Sequence, residues 1–177
     1  MTMEIHLQRQ LGYASGNFGK SLMWTSLDYL LLFYLTEVAG IPVGWAGAII
    51  LLSLLWDAAI NPLIGYWIDR RASVGQDYRP FLRWAPVASG IGFVALFWLP
   101  SDQTVINAAY LFAAMLGFRT AYALLDVPHN ALLAHMPVTS AMRMRLAGMR
   151  FFFSSLGGLI VATQVAPQFV RADSSAV

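Results

Sequence analysis

A chain of 177 residues that is 58% hydrophobic and only 11% charged, with a mean hydropathy of +0.61, lies outside the soluble range of about 45–50% apolar and about 25% charged residues. It reads as an integral membrane protein. The net charge of +2 excludes a nucleic-acid face, because the arginines sit in short links between apolar spans, and the absence of cysteine leaves no disulfide framework to read.

The N-terminal segment MTMEIHLQRQLGY carries His6 and Arg9. It lacks the apolar core and small-residue cleavage site of a removable signal peptide. Five apolar spans follow, each near the roughly 20 residues that a membrane helix needs. They are expected at Phe18–Val38, Val43–Ile68, Leu82–Leu99, Thr104–Leu125 (with a continuation toward Leu133) and Phe151–Ala166. Tyr13, Trp45, Trp67, Trp84 and Trp98 fall near span ends, as interfacial aromatics do.

In the first span, Lys20, Trp24 and Asp28 step by four. An indole between a cation and an anion suits a sugar ring, although Lys20 can also snorkel to the interface. The second span holds the stretch LLWDAAINPLIG. Asp57 and Asn61 are four apart and share a helix face, and Pro62 frees the carbonyl of Ala58. A carboxylate, an amide oxygen and a freed carbonyl form an oxygen-rich patch suited to a hard cation or a proton. Asp28 and Asp57 each fall near mid-span, the depth at which transporter sites form. The alternative for Asp57 is a cap or ion pair inside the bundle. In the fourth span, Arg119 and Asp126 are seven apart; they pair with each other or bind a substrate hydroxyl by charge-assisted hydrogen bonds. His129 reads as a structural histidine. The glycines of SLGGLIVA in the fifth span read as a close helix contact.

The links set the orientation. Arg9 precedes span one; TEVAGIP and PSDQ carry no Lys or Arg; the second link carries Arg70, Arg71 and Arg79, and the fourth carries Arg143, Arg145 and Arg150. The alternation places the N-terminus in the cytoplasm. Five helices leave interior-facing polarity without partners, so the expectation is a piece of a larger bundle, either a fragment or a truncated product. No paired nucleophile and base, no metal-protease spacing and no phosphate-binding glycine loop is present in the sequence, and an enzyme is not expected.

The loop GYWIDRRASVGQDYRP, with Gly65, Asp69, Arg70, Arg71, Gly75 and Arg79, resembles the conserved loop motif of the major facilitator superfamily. Its physics is that of a gate, in which Asp69 caps a helix or pairs with an arginine in one conformation and releases it in another. The ordinary reading is a positive-inside loop. The phrases GYASGNFGKSL, FYLTEVAGIPVGWAGAI, LLWDAAINPLIGYWIDR, YRPFLRWAPV, LLDVPHNAL and MRFFFSSLGG follow one another in order. Together they resemble the N-terminal half of the glycoside–pentoside–hexuronide:cation symporters (melibiose permease-like).

The resemblance implies an all-α integral membrane fold, of which this chain supplies about five of twelve helices. It implies sugar:cation symport by alternating access, with a small-molecule substrate, membrane lipid and a missing C-terminal half as partners, and no cofactor beyond a coupling H+ or Na+. It implies a multi-pass protein of the inner (plasma) membrane. By the same resemblance Asp57 is a cation-site carboxylate, and Asn61 stands where such symporters carry a second one. Asp126 matches a helix-four aspartate of the sugar site, Lys20 matches the lysine of the F-G-K phrase and Arg150 the arginine that opens helix five, both expected with Trp24 and Arg119 to bind substrate, and Ser21 replaces a sugar-binding aspartate. Asp28 is an added carboxylate. The loss of charge at position 61 points to protons, through Asp57 or Asp28, rather than sodium. The competing functions are a major facilitator transporter of a non-sugar substrate and a non-transporting membrane remnant.

Overall fold

The computed structural model describes residues 7–73, 81–135, 139–165 and 167. Every element among them is a helix: α1 (Leu7–Phe33), extended by a π-helical turn at Tyr34–Val38; α2 (Val43–Ser73); α3 (Phe81–Ala95); α4 (Thr104–His135); and α5 (Ser140–Ile160), extended by a second π turn at Val161–Val165. The helices belong to two compact bodies, one of Met1–Leu31 with Met136–Val177 and one of Leu32–His135.

Among the described residues, three helices are long and apolar enough to cross a membrane: Val43–Arg71, Thr104–Leu133 and Ser140–Val165. The other two of the five expected spans fall short for different reasons. The helix α1 has the length, but its polar N-terminal turns, Lys20 and Asp28 lower its hydropathy. The helix α3 has 15 residues, or about 22 Å, against a hydrocarbon core of about 30 Å. Its end tightens into i→i−3 bonds, Phe97 N–H to Val94 O (3.1 Å) and Trp98 N–H to Ala95 O (3.3 Å).

Helix ends also differ from the hydropathy boundaries. α5 begins at Ser140 rather than near Phe151, because Thr139 caps it: the Met142 N–H donates to Thr139 Oγ1 at 3.2 Å. The arginines in SAMRMRLAGMR lower hydropathy without lowering helix propensity. α4 runs through Pro128 to His135.

The first body is the α1–α5 contact. Gly157 lies so close to α1 that an added Cβ would stand 2.9 Å from the Phe18 carbonyl oxygen. Ser21 Oγ donates to the Ser154 carbonyl at 2.7 Å. Contacts climb together along both helices, with Phe18–Leu22 at Gly157 and Thr25 at Gly158, so α1 and α5 run in the same direction.

In the second body, the turn before α2 is built by Gly40, at φ +63°. The Ile41 N–H then reaches back six residues to the Leu35 carbonyl at 2.9 Å, one residue farther than a Schellman closure, as follows a π-helical turn. Pro42 opens α2, its carbonyl accepting from Trp45 and Ala46. An aromatic ladder runs from the first π turn past the end of α3 to α4: Tyr34–Phe97 (5.1 Å), Phe93–Phe97 (5.2 Å), Phe93–Phe118 (6.0 Å), which joins α3 to α4, and Phe118–Tyr122 (5.7 Å) between ring centres. α2 packs on α4 through Ile64, Ile68 and Ala123, with Ile60, Trp67, Leu124, Val127 and Leu132 around them. The exposed Leu51, Leu52, Leu55 and Leu63 give α2 the apolar surface that lipid solvates.

Candidate functional site

Above the α2–α4 apolar core lies a polar layer. Ser53 Oγ donates to the Ile50 carbonyl at 2.7 Å and accepts from Arg119 Nε at 3.1 Å. Arg119 Nη1 stands 3.8 Å from Asp57 Oδ2. One turn further, Asn61 Nδ2 donates to the Asp57 main-chain carbonyl at 2.9 Å. Trp56 Nε1 donates to Thr120 Oγ1 at 2.9 Å, and that hydroxyl donates to the Leu116 carbonyl at 2.8 Å.

The layer is central in both spans. Asp57 is 14 residues from each end of Val43–Arg71, since 57 − 43 and 71 − 57 are both 14. Arg119 is 15 residues from Thr104 and 14 from Leu133. Arg119 is 4% exposed, whereas the Asp57 side chain is 19% exposed. At this depth an isolated charge costs several kcal/mol, and each group lowers the other's cost by proximity. The layer is thus a carboxylate whose charge is balanced by a guanidinium held in place by a serine, with one side of the carboxylate still open.

Arg119 thus reaches across to α2. Asp126, seven residues further along α4, accepts a hydrogen bond from Asn130 Nδ2 at 2.8 Å and acts electrostatically on Asp57, and His129 is buried. Toward the end of α2, Arg71 stacks on Trp67, its guanidinium carbon 4.4 Å from the ring centre. Gly65 is half-buried, and Asp69 and Arg70 are exposed. Gly75 and Arg79 of the expected gating loop lie outside the described residues.

The first body holds the other candidates. Arg150 is fixed at two points: Nε donates to Asn17 Oδ1 at 3.3 Å, and Nη1 donates to the Tyr13 hydroxyl at 3.2 Å. It borders a cavity of about 250 Å³ lined with Asn17, Ala147 and Phe151. Lys20 is buried, Trp24 half-buried and Asp28 exposed. The step of four explains the divergence: each step drifts about 40° around a helix of 3.6 residues per turn, so Lys20 and Asp28 differ by about 80°.

Ser53, Trp56 and Thr120 were not among the sequence candidates. Ser53 carried a signal, since it precedes Asp57 by one four-residue step. The Trp56–Thr120 bond joins residues 64 apart in the chain and has no local signature.

The family model described as MFS/sugar transport protein matches residues 12–176. The chain is 31% identical over 176 residues to the uncharacterized symporter YjmB of Bacillus subtilis (strain 168), covering 98% of this chain and 38% of the relative. It is 26% identical over 159 residues to the putative glycoside/cation symporter YagG of Escherichia coli (strain K12), covering 90% and 35%. A putative sulfoquinovose importer of the same organism is 28% identical over 184 residues, covering 99% and 38%. The chain thus spans little more than a third of the length of these relatives, which are named as transporters and not as enzymes. With spans apolar enough to cross a membrane and a charged layer at their middle, this is a multi-pass membrane protein and a member of the MFS/sugar transport protein family, of the glycoside–pentoside–hexuronide:cation symporter type.

Proposed function

We propose that this chain forms the N-terminal part of a twelve-helix secondary transporter that carries a sugar or glycoside inward in symport with a cation. The observation that carries the reading is the Asp57–Arg119–Ser53 layer at mid-span, because ionisable groups are kept at that depth where a substrate or ion path needs them. Asp57 is the coupling carboxylate, with Asn61 beside it and Asp28 as a second acidic group. Lys20, Trp24, Asp126 and Arg150 bind the substrate. The loop from Gly65 through Asp69, Arg70 and Arg71 is the cytoplasmic gate. The protein lies in the inner membrane with its N-terminus in the cytoplasm. The glycoside and sulfoquinovose in the relatives' names support a sugar-like substrate.

Uptake of labelled glycosides by vesicles containing the complete protein tests this reading. Accumulation driven by an imposed ion gradient is expected, with loss in Asp57→Asn and Asp126→Asn. A panel of neutral and anionic glycosides that gives no gradient-driven accumulation, from protein shown to be folded and inserted, would refute it.

A further inference from the structure

Trp56 stands where a tryptophan is out of place. Indoles favour the two membrane interfaces, yet Trp56 is one residue from Asp57, at the centre of the span Val43–Arg71. Hydrocarbon offers its N–H no acceptor. Thr120 on α4 does, at 2.9 Å. The Leu116 carbonyl takes the single proton of the Thr120 hydroxyl at 2.8 Å, which leaves the oxygen's lone pairs for the indole. Trp56 precedes Asp57 on α2, and Thr120 follows Arg119 on α4. Neighbouring residues of a helix point about 100° apart, so the Trp56–Thr120 and Asp57–Arg119 contacts grip α4 from two directions at one level. The bond from Arg119 Nε to Ser53 Oγ, 3.1 Å, adds a third tie there.

The Asp57–Arg119 contact itself has not closed. Its 3.8 Å separation is longer than the roughly 2.7–2.9 Å to which a charge-assisted hydrogen bond between such groups draws in. Arg119 and Asp126 both act electrostatically on Asp57, and both belong to α4. The register of α2 against α4 therefore sets the field at this carboxylate.

We propose that Trp56 and Thr120 are positioning residues for the coupling site: their hydrogen bond holds α2 and α4 in the register that keeps Arg119 beside Asp57 without closing on it, and so leaves the carboxylate open to the coupling ion. The proposal rests on Asp57 being the coupling carboxylate. Without the clasp, a shift of about one ångström between the helices closes the charged pair into a hydrogen bond. The ion then competes with a guanidinium for the carboxylate oxygens.

The test reads uptake by the reconstituted complete protein against coupling-ion concentration, in a sodium titration at fixed pH and a pH titration without sodium. The substrate is whichever labelled glycoside of the panel the native protein accumulates. Trp56→Phe keeps an aromatic ring and orphans no polar group, because the Thr120 hydroxyl stays bonded to Leu116. It is expected to raise the ion concentration at half-maximal uptake about ten-fold, as loss of a partner that orients an ion site does. For a proton, that is a fall of the pH midpoint by about one unit. Maximal uptake at saturating ion is expected to stay near the native value. Thr120→Val is expected to act likewise, Thr120→Ser to restore native half-saturation, and Trp56→Phe combined with Thr120→Val to do no more than either alone. Native half-saturation in Trp56→Phe overturns the proposal even where the thermal midpoint falls, because the bond is then structural only. A rise in Thr120→Val without one in Trp56→Phe also overturns it, since the harm then comes from an indole N–H left without an acceptor. Should Thr120→Val fail to fold, Trp56→Phe decides. The two readings fail separately. Native protein that accumulates no glycoside, or an Asp57→Asn protein with native ion dependence, sinks the coupling assignment and this proposal with it. Loss of ion dependence in Asp57→Asn, with native half-saturation in Trp56→Phe, sinks this proposal alone.

Discussion

At the scale of single residues, the polar layer is a set of bonds whose members depend on one another. Ser53 accepts from Arg119 and donates to Ile50, so Ser53→Ala leaves a buried guanidinium N–H without its acceptor. Such a loss costs about 1–3 kcal/mol and should lower the thermal midpoint by several degrees. A midpoint within one degree or so of the native value would mean that Arg119 is held by Asp57 alone. The charge pair itself calls for a double-mutant cycle. Either single change, Asp57→Asn or Arg119→Gln, leaves an uncompensated mid-span charge at a cost of about 3–5 kcal/mol. The double variant removes both charges and should be more stable than either single variant in choline chloride, with a coupling of about 1–3 kcal/mol. Additive effects would show that the 3.8 Å separation carries no energy. Arg150 offers a contrast in geometry. Its two donors hold Asn17 and Tyr13 together, and a lysine is a single point charge without that fork. Arg150→Lys should therefore weaken substrate uptake at low substrate concentration even though the charge is kept, and unchanged uptake would remove Arg150 from the site.

At the scale of elements, the close crossing of α1 and α5 decides how far small residues can be changed. An added Cβ at Gly157 would meet the Phe18 backbone oxygen at 2.9 Å, with Ser21 Cβ at 3.2 Å and Leu22 N at 3.3 Å, whereas at Gly158 it would meet only Thr25 Oγ1, at 3.7 Å. Gly157→Ala should therefore cost about 1–3 kcal/mol by forcing backbones apart, and Gly158→Ala should be nearly silent. Equal effects at the two positions would mean that the crossing is looser than these distances. Adjacent glycines look equivalent in the sequence, and only the phase of the helix separates them. The same limit runs through the site. Asp57, Asn61 and Arg119 are legible in the sequence because a charge or amide inside an apolar run stands out against the cost of placing it there. Their partners are less legible, because a partner is chosen by how two helices lie against each other. Arg119 thus reaches Ser53 and Asp57 on a different helix, α2. Helix ends are obscured in another way: hydropathy dates the start of α5 to Phe151, while the Thr139 cap starts it at Ser140.

At the scale of the molecule, the chain matches little more than a third of its relatives' length, and a symport cycle needs a path closed on all sides. Transporters of this kind place their site between two structural repeats and expose it alternately as one repeat rocks against the other. A wall that carries Asp57 and Arg119 has nothing to rock against by itself. A solute that reached these residues from one side would leave by the same side. We therefore expect vesicles that contain only these 177 residues to show no gradient-driven accumulation of any glycoside, even when the chain is inserted and folded. Vesicles in which it is joined by the remaining helices of the fold should accumulate substrate, with the same loss in Asp57→Asn as the uncut protein. The comparison separates two roles for the charged layer. If accumulation appears with the 177-residue chain alone, as an oligomer of itself, then copies of this segment complete the path. The Asp57–Arg119 layer would then act as a repeated site in a symmetric assembly rather than as one half of a paired one.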